Sequence, residues 1–312
     1  MRAIGVTEYG GPEVLRELDV PAETLGAGQV RVRVGKATVN PTDTGVRSGM
    51  RARGDRAEGV GDVPGMEVAG TVTEVGDGVT DLAVGDAVMA IVVPAGAHGA
   101  YRDEIVLPVG SVVAAPTGVT EAEAATLPMN GLTARLALDL LDLAPGDVVA
   151  VTGAAGALGG YVIQLAKADG LRVVADAADK DVELVRGLGA DVVVPRGAQV
   201  VEAIRDAFPD GVDGLVDASV QQAEVVPAVK DGGAMATVRG WDGEGETRVR
   251  VLPVFVREVA ERRDLLDRLR QQVEEGVLTL RVADVVPATR AAEAHRRLEA
   301  GGVRGRLVLD FS

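Results

Sequence analysis

Cysteine is absent, and with it go disulfides, thiolate nucleophiles and cysteine-ligated metals. Histidine is nearly as scarce: His98 and His295 are the only two, too few for a histidine-rich metal site, and no metal ligand set is expected. Aromatic residues make up 2% of the chain, so burial rests on Val, Ala, Leu and Ile, whose β-branched share suits a parallel sheet covered on both faces. No apolar run approaches the roughly 20 residues that span a bilayer, and Met1-Arg2-Ala3-Ile4 lacks the apolar region of a signal peptide. A cytoplasmic protein without membrane association is expected. Positive charge is also short. The 32 Lys and Arg against 47 Asp and Glu leave a net charge of −15, which repels a phosphate backbone and argues against a nucleic acid partner.

What the chain does have is length and aliphatic bulk. With 312 residues, 47% of them hydrophobic and 25% charged, it is a folded globular chain large enough for two lobes. From Arg2 to about Thr117 short strands are punctuated by Gly, Pro and Asp, as in Val30-Arg31-Val32-Arg33-Val34, where apolar and basic residues alternate. Arg51 to Asp62 reads as an exposed mobile loop. From Glu121 to Leu143 the spacing predicts a helix, capped by Thr120 and stopped at Pro145-Gly146, which sets a domain boundary near Val119. Beyond it strands are expected at Val148 to Thr152, Arg172 to Ala175, Asp191 to Val194, Gly214 to Asp217 and Ala234 to Val238. Helices alternate with them at Leu158 to Asp169, Val182 to Leu188, Val200 to Phe208 and Ala223 to Val229. Repeated βα units of this length predict an α/β fold with a doubly wound parallel sheet. A charged helix from Arg257 to Glu275, a helix from Ala291 to Ala300 and a strand from Arg306 to Asp310 complete the pattern.

The turn after the first of these strands reads Gly153-Ala154-Ala155-Gly156-Ala157-Leu158-Gly159-Gly160. Glycines at the mouth of a helix let the backbone approach a pyrophosphate, and free N–H groups with the helix dipole favour the anion. Asp176 follows Gly156 by 20 residues, the spacing at which a carboxylate meets a ribose 2′-hydroxyl. A bound dinucleotide is therefore expected. Asp176 favours NADH, whereas Lys180 and Arg196, near the ends of the second and third strands, could pair with the 2′-phosphate of NADPH or be solvated surface charge.

Residues spread over the whole chain resemble the zinc-independent quinone oxidoreductase branch of the medium-chain dehydrogenase/reductases. They are Gly10-Gly11-Pro12-Glu13-Val14-Leu15, Asn40-Pro41-Thr42-Asp43 with Arg47-Ser48-Gly49, Pro64-Gly65-Met66-Glu67-Val68-Ala69-Gly70, Asn130-Gly131-Leu132-Thr133-Ala134 and Gly305-Arg306-Leu307-Val308-Leu309-Asp310. The resemblance implies a GroES-like, mostly β catalytic domain over residues 1–118, a Rossmann domain over 119–256, and a return segment, 257–312, completing the first. It implies a homodimer, NADPH as the usual hydride donor, and a quinone or α,β-unsaturated carbonyl as acceptor. Carried over residue by residue, Asn40, Pro41, Thr42 and Thr133 would adjoin the nicotinamide. Gly153, Ala155, Gly156, Ala157 and Leu158 would face the pyrophosphate, and Ser219, Val238, Arg239 and Gly240 would line the cofactor.

Relatives that resemble this chain carry a Tyr in the 40–49 motif where Gly45 stands, which removes a phenol donor and would open space. Negative charge building on the acceptor oxygen then needs other donors: the Asn40 amide is one, and His98 is a titratable candidate by residue type. Arg47 is expected to brace Asp43 through an ion pair, with a catalytic role as the alternative. Tyr101 reads as a packing residue. Arg47, Arg51, Arg53 and Arg56 could steer an anionic acceptor or form a solvated loop. Two further functions stay open: a pathway-specific enoyl reductase of polyketide metabolism, and a nonenzymatic NADPH-binding protein.

Overall fold

A computed structural model describes residues 1–51 and 61–312, so most of the expected 51–62 loop, with Arg53 and Arg56, lies outside the described residues. In chain order the first elements are β1 (Arg2–Gly5), β2 (Arg16–Asp19), β3 (Gln29–Thr38), α1 (Pro41–Arg47), β4 (Glu67–Val75), β5 (Ala87–Ile91), β6 (Glu104–Pro108), β7 (Val112–Ala114) and α2 (Glu121–Ala124). Next come α3 (Pro128–Leu141), β8 (Val148–Thr152), α4 (Ala157–Ala168), β9 (Arg172–Ala177), α5 (Val182–Gly187), β10 (Val192–Pro195), α6 (Val200–Ala207), β11 (Val212–Asp217), β12 (Val229–Thr237) and β13 (Arg250–Pro253). The last are α7 (Arg263–Glu274), β14 (Val282–Pro287), α8 (Ala291–Ala300) and β15 (Arg306–Asp310).

The chain forms two compact units: Met1–Met129 with Ala260–Glu275 and Leu280–Ser312, and Asn130–Val259 with Gly276–Thr279. The first switch falls at Met129 and not near Val119, because α2 packs on β3, β4 and β14 of the first unit. Thr120 caps α2 as expected, its hydroxyl accepting from the Glu123 N–H. The single helix expected from Glu121 to Leu143 is two, with a fresh start at Pro128, whose ring suits a first turn and not a helix interior. Likewise α7 begins at Arg263 and not Arg257, because the chain passes from one unit to the other at Ala260.

In the first unit a sheet runs β14-β15-β3-β4-β5-β7, with β6 also paired to β3. The alternation in β3 puts Val30, Val32 and Val34 into the core and turns Arg33 to solvent. The strand from the far end of the chain, β15, lies antiparallel to β3, with Val308 opposite Thr38. This register sets Arg306 beside the Thr38–Asn40 corner, where Val39 N–H donates to the Leu307 carbonyl (2.9 Å).

The second unit holds a six-stranded, all-parallel sheet in the order β10-β9-β8-β11-β12-β13. Its central strands β8, β9 and β11 are buried on both faces, as their Val- and Ala-rich runs require. The sixth strand, β13, is too short and too interrupted by arginine to announce itself in the sequence. The helix expected from Ala223 to Val229 is instead two 3-10 turns, Gln222–Glu224 and Val226–Ala228, since Pro227 cannot donate to a helical ladder and Val229 already belongs to β12.

Gly70 on β4 lies opposite Val34, and a Cβ there would run into the Arg33 carbonyl oxygen. Gly70→Ala should lose about 1–3 kcal/mol of stability through backbone displacement. Urea unfolding monitored by circular dichroism reads this out; an unchanged midpoint would show that β3 and β4 can separate at no cost.

Candidate active site

The glycine-rich turn joins β8 to α4 at the place where strand order reverses, with β9 on one side of β8 and β11 on the other. In open parallel sheets this is where ligands bind. Gly153 has φ +67°, a conformation that L side chains rarely adopt. A Cβ on Gly159 would approach the Gly153 oxygen at 2.5 Å, so Gly159 lets α4 close against the turn itself. Gly156 is the N-cap of α4 and has no side chain with which to cap the first-turn N–H groups of Ala157 and Leu158. The cradle fits an anionic diphosphate.

Two buried carboxylates hold this turn. Asp176, near the end of β9, is 4% exposed and accepts from the Ala154 N–H at 3.0 Å. Burial pushes its carboxyl above the usual range, against the pull of the Ala154 N–H and the Arg196 charge. The carboxylate expected at a ribose hydroxyl is thus committed to the loop backbone. On the other flank Asp217, which sequence reasoning passed over, accepts from Thr152 Oγ1 at 2.7 Å and, through its second oxygen, from the Gln222 N–H at 2.7 Å. Ser219 leans on the same Asp217 carboxylate at 3.3 Å and lies against Gly153. Lys180 and Arg196 are exposed, and neither side chain has a hydrogen-bond or ion-pair partner among the described residues. Thr133 is buried on α3, and Val238, Arg239 and Gly240 follow β12 with φ +66° at Arg239 and +84° at Gly240.

The 40–49 motif forms α1, with Asn40 as its N-cap. Asn40 is fully buried, and its amide is committed to protein partners: Oδ1 accepts from Arg306 at 2.6 Å and Nδ2 donates to Glu67 Oε1 at 3.2 Å. The donor expected at an acceptor oxygen is therefore held inside the protein. Glu67 is the centre of this cluster. Its Oε1 receives Arg306 at 2.6 Å and the Thr38 hydroxyl, while Oε2 receives the Met129 N–H at 2.7 Å. Of the motif's first turn, Pro41 is exposed and Thr42 half-buried, and the Thr42 hydroxyl makes no hydrogen bond among the described residues.

Asp43 and Arg47 do not brace each other. Asp43 accepts from the N–H groups of Asn40 (2.8 Å) and Gly65 (2.9 Å) and from the Tyr101 hydroxyl (3.1 Å). Arg47 instead pairs with Glu299 at 2.6 Å and meets His295 Nδ1 at 3.3 Å. The cause is packing: α8 lies against α1 and supplies a carboxylate closer than the one on Arg47's own helix. Burial pushes Asp43 up to about 7 and, with the Arg47 charge, His295 down to about 3. Tyr101 is fully buried, as a packing residue should be, with its hydroxyl inside the polar cluster. His98 belongs elsewhere, its Nδ1 2.7 Å from Glu23, which also binds Arg102. The space over Gly45 is not open either, since a Cβ there would meet the Arg51 stem at 3.0 Å.

Comparison with known proteins gives these two units a lineage. Residues 26–127 match the family described as alcohol dehydrogenase GroES-like domain, and residues 188–309 match that described as zinc-binding dehydrogenase. The chain is 30% identical to the NADPH-dependent alkenal/one oxidoreductase of Arabidopsis thaliana chloroplasts, over 99% of this chain and 79% of that one. It belongs to the quinone oxidoreductase-like medium-chain dehydrogenase/reductases. Within that family it is 29% identical to the quinone oxidoreductase of Rattus norvegicus, over 99% of this chain and 97% of that one. A solved mycobacterial structure complexed with NADPH superposes with TM-score 0.83 at 29% identity, covering 99% of this chain and all of that one.

As a medium-chain dehydrogenase/reductase, the chain pairs a GroES-like domain with a Rossmann-type parallel sheet. Zinc does not fit its side chains: there is no cysteine, and no group of three His, Asp or Glu among the described residues could hold a metal. The first unit instead buries the Glu67–Arg306 pair, with side chains 0% and 5% exposed. Glu67→Leu should cost about 3–5 kcal/mol by stranding the Arg306 charge, and adding Arg306→Met should recover much of it. Urea melts of the three proteins measure this. Additive losses in the double variant would mean that the pair is not coupled.

Proposed function

We propose that this protein is an NADPH-dependent reductase that delivers hydride to a quinone or an α,β-unsaturated carbonyl without a metal. The observation that carries the reading is the uncapped glycine turn Gly153 to Gly159 at the strand-order reversal, held from both sides by buried carboxylates. Bound there, a reduced nicotinamide supplies the hydride. Gly153, Ala155, Gly156, Ala157 and Leu158 would hold the diphosphate through their backbone, with Thr133, Ser219, Val238, Arg239 and Gly240 along the remainder.

Lys180 and Arg196 support NADPH over NADH. Both are exposed cations without a hydrogen-bond or ion-pair partner among the described residues, and either could meet a 2′-phosphate. Asp176, turned inward to Ala154, does not stand against that phosphate. At the acceptor the Asn40 amide is committed, so the Thr42 hydroxyl, which follows in the motif and has no hydrogen-bond partner among the described residues, would be the chain's own donor for charge developing on the oxygen. Solvent completes the protonation. The names of the plant and rat relatives support alkenals, enones and quinones as the acceptor class.

Nicotinamide absorbance followed with NADPH and NADH against quinones, alkenals, enones and enoyl thioesters tests the reading. NADPH oxidation with at least one acceptor class is expected, and binding without oxidation by any of them would make the protein a nonenzymatic nucleotide binder. Lys180→Ala and Arg196→Ala should each raise KM for NADPH about tenfold and leave NADH unchanged. Asp176→Ser should weaken both nucleotides together, whereas a switch of preference towards NADPH would put Asp176 at the ribose after all.

A homodimer belongs to the same proposal. β13 pairs with β12 on one side only, and two-fold pairing with the β13 of a second copy would close that edge. Sedimentation should give twice the chain mass; a monomer at assay concentration overturns this part.

A further inference from the structure

Behind α1 runs a line of buried polar groups, Arg47, His295, Tyr101 and Asp43, that hydride transfer does not use, with the exposed Glu299 paired to Arg47 at its outer end. Arginine has donors only, so at the 3.3 Å contact His295 Nδ1 must accept. The imidazole proton then sits on Nε2, 3.2 Å from the Tyr101 oxygen, and is donated to it. Tyrosine has one hydroxyl proton, and having accepted from His295 it gives that proton to Asp43 at 3.1 Å. With the other tautomer, two donors would oppose each other between Arg47 and His295 in a site where both residues are buried, and the Tyr101 oxygen would lose its donor. The rings cross edge to face at 5.9 Å and 78°, which holds the imidazole plane.

We propose that Arg47, His295 and Tyr101 form a one-way hydrogen-bond chain that holds His295 as the neutral Nε2–H tautomer and Asp43 as a carboxylate, and that this chain positions the Asn40–Thr42 corner. Asp43 is the coupling point. One of its oxygens binds the Asn40 N–H and the other the Gly65 N–H, two residues before Glu67, so it ties the start of α1 to the start of β4. His295 and Tyr101 act through Asp43 and are positioning residues. The charged groups around Asp43 and the chain are Arg306 from β15, Glu67 from β4, Arg47 from α1 and Glu299 from α8. Burial lifts Asp43 to about 7, while the two N–H groups, Tyr101 and Arg306 pull it down. Only the ionised form accepts from all three donors, so positioning is lost as pH falls through that value, and losing a donor moves the loss to higher pH.

Nitrogen-15 NMR of the histidine rings tests the chain directly. There are two histidines, so the His295→Gln spectrum assigns the missing set. Protonated Nε2 and bare Nδ1, without titration near the free-histidine value of about 6.5, are expected. A protonated Nδ1, or titration near that value, overturns the proposal. The second arm rests on the reductase reading: the acid limb of kcat/KM in NADPH oxidation should lie near pH 7 and rise by about one unit in Tyr101→Phe. His295→Gln, which keeps a donor and an acceptor, should stay closer to wild type than His295→Phe. An unmoved limb in Tyr101→Phe overturns the positioning role even where the tautomer is as expected. No turnover by the wild type would overturn the reductase reading and leave the NMR arm to decide the chain.

Discussion

A carboxylate shut away from water, Glu67, joins three distant parts of the first unit. It meets Arg306 from the closing strand, Thr38 and Asn40 from the end of β3, and the Met129 N–H at the start of α3. A buried charge of this kind is tolerated only when its hydrogen-bonding capacity is filled, so each partner's place is dictated by the others. The cost of desolvating Glu67 and Arg306 makes the pair a weak source of stability. Its value is specificity of register, because a slipped β15 would leave both charges stranded.

The second unit solves a different problem with backbone. Its turn carries no side chains at Gly153, Gly156 and Gly159, the backbone that the proposed close approach of a diphosphate would need. Stripped glycine turns are floppy, and two carboxylates restore order by accepting from the turn or its flanks, Asp176 at Ala154 and Asp217 at Thr152. Negative charge close to an anion site would be harmful in solvent. Here both carboxylates face backbone or hydroxyl donors from the buried side, and Arg196 offsets Asp176.

Periodic features were legible from the residues. The alternation of Val30 to Val34 gave β3, strand β8 was read to the residue, and the βα rhythm gave the parallel sheet. Proline spoke more loudly in the structure than in the reading: Pro128 divided one expected helix, and Pro227 reduced another to 3-10 turns. Family resemblance reached further than periodicity and correctly led to the quinone oxidoreductase-like lineage. It attached expectations to Asn40, Asp43, Arg47 and Asp176, but could not show which way those side chains point.

Local order, sheet type, freedom from cysteine chemistry and the glycine turn were determined by the sequence alone, because each depends on neighbours within a few residues or on composition. Partnership was decided by the tertiary structure. Arg47 chose Glu299 over Asp43, His295 came to lie between Arg47 and Tyr101, and the Arg51 stem covered Gly45. These pairings join residues up to 252 positions apart. Their energies depend on burial and donor geometry, which exist only once α8 and β15 have packed against the strands and helix from the start of the chain.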